Sequence, residues 1–127
     1  MGDFVNFKIS QKLKEKGFPQ SPDYFNYSSY YDWDGLRKIH SLSNTSVWFD
    51  PNISRDNIYF APTISQVLKW LRKEKEIHIC IDFAADMNWY YQIVIYGSTD
   101  IAADGYGYND YEISALAGIE CVLDNFI

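Results

Sequence analysis

At 127 residues, with 47% apolar and 22% charged side chains, the chain has the size and mixture of an ordinary globular domain, which excludes a fibrous or wholly disordered polymer. Its longest apolar stretches, such as residues 89–97, fall well short of the roughly 18–20 residues that span a bilayer, so no membrane crossing is expected. The net charge of −6 is lopsided: residues 1–75 hold all 11 Lys and Arg with eight acids, whereas residues 76–127 hold nine acids and no Lys or Arg.

The first element expected is a helix over residues 4–16, where Val5, Ile9 and Leu13 recur at helical spacing and Gly17 with Pro19 supplies the stop. The same N-terminal stretch lacks a basic segment followed by an apolar one, so no secretory leader is read there and a cytoplasmic location is expected. Three Asn-x-Ser triplets, at Asn26, Asn44 and Asn52, then carry no meaning as glycosylation sites. Cys80 and Cys121 are too few for a disulfide scaffold and show no CxxC spacing, so two reduced thiols are expected. Tyr- and Phe-rich strand candidates follow around residues 24–31, 46–49 and 57–60, separated by turn formers such as Asp50-Pro51-Asn52.

A second helix is expected from Thr63, whose hydroxyl and the Gln66 side chain fit a capping box after Pro62. Ile64, Val67, Leu68, Trp70 and Leu71 form its apolar stripe, and Arg72, Lys73 and Lys75 suit the negative end of its dipole. Ile77, Ile79, Ile81 and Phe83 then alternate with His78, Cys80 and Asp82, the period of a half-buried strand. A partner strand over residues 89–97 pairs with it through the loop 84–88, and a mobile Gly-Tyr-Gly loop spans residues 98–110. The last helix is expected from about Asn109, with Glu112 as capping partner and with Ile113, Leu116, Ile119, Leu123 and Phe126 buried. The pattern predicts one α+β domain over residues 1–127, a mainly antiparallel sheet of about four to five strands covered on one face by about three helices.

On a strand, His78, Cys80 and Asp82 share one face at about 6.6 Å intervals, opposite the isoleucines. That separation is too wide for a cysteine and its base, and the trio lacks the paired spacing of a zinc site. With the hairpin in register, the same face presents Tyr90, Gln92, Val94 and Tyr96. Tyrosine offers a large contact area, few rotatable bonds and a polar handle, so the mixture suits a protein interface. His78, Asp82, Tyr90, Gln92 and Tyr96 are the expected partner-binding residues; no catalytic residue, cofactor or metal is assigned.

Two other readings stay open. A small metal-dependent hydrolase using His78, Asp82, Asp100 and Asp104 requires at least three of these to converge in one pocket. A self-associating structural component would bury the strand face in a homodimer. Calcium chemistry in the 98–110 segment is poorly matched: Asp100, Asp104 and Gly105 fit positions one, five and six of an EF-hand loop, but Ala102 and Tyr111 stand where ligands are needed. Twenty-three aromatic residues could serve base stacking, yet the acidic half offers no basic groove for a phosphate backbone, so nucleic acid is not an expected partner. No Walker loop, Rossmann glycine pattern, nucleophile elbow or HExxH helix occurs.

The blocks LKEKGFPQ, APTISQVLKWLRKEKEIHICI, WYYQIVIYG and YNDYEISALAGIECVLDNFI cover a little over half of the chain. In them the sequence resembles small uncharacterised proteins of Bacteroides-type bacteria and of their phages or prophages. The resemblance brings no activity, cofactor or catalytic residue; it implies a small accessory factor that binds a host or phage protein. Together with the acidic half it leads to the expectation of a non-catalytic interaction protein whose acidic, tyrosine-rich surface holds a protein partner, a basic one by charge.

Overall fold

The computed structural model describes residues 4–20, 27–31, 37–41 and 59–127; the strand candidate at 46–49 and the turn at 50–52 lie outside them. Contacts gather the chain into two compact units, one over residues 4–62 and one over residues 63–127.

In the first unit, helix α1 runs Phe7–Glu15, starting later than the apolar spacing alone marks because the Asn6 side chain accepts the Ile9 N–H at 2.9 Å and fixes the first turn. It stops as the sequence predicts: Gly17 takes φ +90°, the Phe18 N–H donates to the Leu13 carbonyl at 3.0 Å and the Gly17 N–H to Lys14 at 3.3 Å, a Schellman closure. Val5, Ile9, Leu13, Phe18, Phe60 and Ala61 are buried. Strands β1 (Tyr27–Tyr31), β2 (Arg37–Ser41) and β3 (Tyr59–Phe60) form an antiparallel sheet in the order β2-β1-β3. The Tyr31 hydroxyl donates to the Val5 carbonyl at 2.7 Å, and the Phe60 N–H donates to Gln20 Oε1 at 2.9 Å. Strand β2, with sequence RKIHS, shows no alternation of apolar residues and escapes sequence reading.

The second unit opens with helix α2 (Ile64–Glu74), where the expected capping box is present: Gln66 N–H donates to Thr63 Oγ1 at 3.1 Å and Thr63 N–H to Gln66 Oε1 at 2.8 Å. Ile64, Val67, Trp70 and Leu71 are buried. Strands β4 (Ile77–Phe83), β5 (Trp89–Ile95) and β6 (Ala103–Tyr108) form a second antiparallel sheet in the order β4-β5-β6. Helix α3 (Tyr111–Asn125) packs across all three of these strands, and α2 packs against β4 and α3. Ile77, Ile79 and Ile93 meet Ala115, Ile119, Val122 and Leu123 in the core. The fold is α+β, with two three-stranded antiparallel sheets among the described residues where a single sheet of four to five strands was expected.

Three local expectations are corrected. Asp110 caps α3 in place of Asn109, its carboxylate accepting the Ile113 N–H at 2.8 Å; Ile113 is 46% exposed, where burial was expected, because the helical period sets it away from the buried Ala115, Ile119 and Val122. Residues 103–108 of the 98–110 segment form the strand β6. Its glycines conceal it: Ala103 and Gly105 turn toward the helix, and the Tyr91 ring occupies the space a side chain at Gly105 would need. Gly107, at φ +87°, is the extra residue of a bulge that opposes Trp89 to Tyr108 and Tyr90 to Tyr106. By inserting one residue it sends the two tyrosines of the Tyr-Gly-Tyr sequence to opposite faces of the sheet.

Candidate functional site

Alternation along β4 and β5 decides which side chains escape the helices. The observed register opposes His78 to Val94, Cys80 to Gln92 and Asp82 to Tyr90, the arrangement that the isoleucine period predicts. β6 continues two of these rows, setting Tyr106 beside Tyr90 and Asp104 beside Gln92. One row therefore reads Asp82, Tyr90, Tyr106 and the next Cys80, Gln92, Asp104. The opposite face holds Ile79 and Tyr91 against Gly118 of α3. None of the outer residues is buried; Asp82 and Asp104 are exposed, and Tyr106 is 59% exposed.

The Tyr90 and Tyr106 rings stack, with centroids 5.3 Å apart and planes 22° from parallel, which fixes both side chains before any partner arrives. The Asp82 carboxylate accepts the N–H of Phe83 at 2.8 Å, so it too is held. Partial desolvation pushes the Tyr90 phenol up from its ordinary value, and the nearby Asp82, Cys80 and Tyr106 push the same way. The Asp82 and Asp104 carboxylates, in adjacent rows beside the tyrosines, put negative charge next to an aromatic surface, the setting that attracts a cation.

Of the expected contact residues, the structure puts His78, Asp82, Tyr90 and Gln92 on this one face. Tyr96 lies just past the end of β5, in the turn, where its N–H donates to the Glu76 carbonyl at 3.0 Å. Tyr106 is the residue sequence reading missed; the alternation of small Ala103 and Gly105 with Asp104 and Tyr106 was the available signal.

The hydrolase set does not converge. His78 and Asp82 stand about 13 Å apart along β4, Asp104 is on β6, and Asp100 sits outside the strands, in the connection between β5 and β6. Among the described residues no three His, Cys, Asp or Glu side chains gather as a metal-binding group, and both described cysteines are free thiols. Nor does the EF-hand alignment survive, because Asp104 and Gly105 belong to a strand. Among the described residues no helix is long and apolar enough to cross a membrane. Comparison with family models, curated proteins and solved structures finds no match.

Proposed function

We propose that the protein is a small non-catalytic interaction factor, of phage or mobile-element origin and acting in the cytoplasm, that holds a basic protein partner on the outer face of the β4-β5-β6 sheet. The observation that carries the reading is the row Asp82, Tyr90, Tyr106 with Gln92 and Asp104 alongside, on a face that no element of its own unit covers. Stacked tyrosines on a paired sheet lose little rotamer freedom on binding, so most of their contact energy is available for association. The nine carboxylates of residues 76–127, with no Lys or Arg among them, steer a basic partner toward this unit and repel nucleic acid. The likeness to small phage and prophage proteins supports the origin.

The test is affinity capture from a bacterial host lysate at low and at moderate salt, with the wild-type chain beside the triple variant Asp82→Asn, Asp104→Asn, Tyr106→Ser. A basic protein is expected on the wild-type chain, less of it at moderate salt, and none on the variant. Retention of nothing in either buffer, or equal retention by the variant, counts against the reading. Sedimentation from micromolar to millimolar protein separates it from self-association: a dimer that the triple variant abolishes would assign the face to a second copy of the chain.

A further inference from the structure

A different surface lies at the hairpin end of the same sheet, on the side where the helices pack. Along β4 the inward side chains become progressively less covered: Ile77 and Ile79 are buried, Ile81 is half-buried, and Phe83 is 46% exposed. Helix α3, which packs across this face, begins only at Tyr111. What remains is an aromatic ledge. The Phe83 and Trp89 rings meet edge-on at 5.3 Å, and Trp89 meets Tyr111 edge-on at 5.7 Å. In the turn joining the strands, Met87 is 75% exposed and holds φ +72°, a left-handed conformation that glycine or asparagine adopts at less cost.

Three of these residues, Phe83, Met87 and Tyr111, have a carboxylate beside them in the chain, and three of the carboxylates are fixed by backbone N–H groups. Asp82 accepts from Phe83 at 2.8 Å, Asp86 from Asn88 at 3.1 Å and Asp110 from Ile113 at 2.8 Å, while Glu112 follows Tyr111. No Lys or Arg occurs anywhere in residues 76–127 to offset them. Carboxylates beside an apolar patch disfavour an anionic lipid surface and are complementary to a cationic amphipathic segment. We infer that the Phe83–Met87–Trp89–Tyr111 ledge docks a partner segment that carries an apolar anchor flanked by Lys or Arg. The ledge lies on the helix side of the sheet, and its apolar residues are none of those in the Asp82, Tyr90, Tyr106 row.

The probe is a short amphipathic peptide of Leu and Lys, compared with one in which every Lys is replaced by Glu. Binding is followed by backbone amide shifts and by fluorescence anisotropy of the labelled peptide. The Leu/Lys peptide is expected to shift the amides around Phe83, Met87, Trp89 and Tyr111, to weaken with added salt, and to bind at least about tenfold more tightly than the Leu/Glu peptide. Phe83→Ser and Met87→Gly should each weaken it by about tenfold, while Ile101→Ser, at an exposed position in the β5–β6 connection, leaves it unchanged. Because glycine relaxes the backbone at position 87, Met87→Gly should fold at least as well as the wild-type chain, so its loss of binding is not a loss of structure. Equal affinity for the two peptides, shifts spread over the whole acidic unit, or wild-type affinity in both ledge variants would overturn the inference.

Discussion

Replacing Gly105 by alanine tests whether the Tyr91 ring is the central packing element of the second sheet. The two residues face each other across the β5–β6 ladder, and a Cβ at 105 would stand 2.8 Å from both Tyr91 Cζ and the Tyr108 hydroxyl, and nearer still to Tyr91 Cε2. The ring has little freedom to retreat. Gly118 on α3 backs its other end, where a Cβ would lie 3.2 Å from Tyr91 Cγ and 3.0 Å from Ile79 Cγ2. Overpacking of this kind costs about 1–3 kcal/mol, against which a non-glycine residue in a strand returns about 0.5–1 kcal/mol of backbone entropy. The net expectation is a loss of about 1–2 kcal/mol, or roughly 3–10 °C in Tm for a chain of this size. Urea unfolding followed by circular dichroism reads it, and a double-mutant cycle with Tyr91→Leu assigns the cause. With the ring gone, alanine at 105 should cost nothing, giving a coupling of about 1–2 kcal/mol. A Gly105→Ala chain of wild-type stability, or the same penalty in the Tyr91→Leu background, refutes the reasoning.

The Tyr91 phenol itself is pushed upward, first by burial and then by its hydrogen bond with Cys121 and the proximity of Tyr108. A raised folded value means the native state keeps its proton longer than the unfolded chain does. Stability should therefore be fully present below about pH 10 and decline above it, and the wild-type minus Tyr91→Phe difference in urea midpoint should shrink over that range. Glu76 holds φ +56° directly after α2, where glycine is favoured, so Glu76→Gly should raise stability by about 1 kcal/mol in the same denaturation assay. Asp110→Ala removes the α3 cap and should cost about 1 kcal/mol, recovered in most part by Asp110→Asn. Gly107→Ala opposes the positive φ of the bulge and should destabilise by about 1 kcal/mol or more; the Tyr90–Tyr106 ring contacts, read by nuclear Overhauser effects, should weaken with it.

How much of this was legible follows from how local each cause is. The α2 capping box, the Gly17 stop and the alternation from Ile77 to Phe83 depend on neighbours within a few residues, and the chain states them openly. The pairing of Asp82 with Tyr90 was also readable, because a short loop and one buried face leave a single register. Strand β6 was not. Its small inward residues make sense only once the Tyr91 ring, twelve or more positions earlier in the chain, is known to lie over Gly105. The exposure of Ile113 is a matter of helix phase: at about 100° per residue it lies away from Ala115, Ile119 and Val122, which together mark the buried side.

The physics that folds the second unit accounts for only one side of its sheet. Gly105, Gly118, Tyr91 and the isoleucines interlock, and each would be costly to change. On the other side, Asp82, Tyr90, Gln92, Asp104 and Tyr106 line two adjacent rows, none of them buried, and folding needs them only to be compatible with a strand. Lysine or threonine would meet that need as well at most of these positions. A stacked tyrosine pair with Asp82 in its row and Asp104 in the next is thus more specific than stability requires. The extra specificity falls on the face proposed to hold a basic partner.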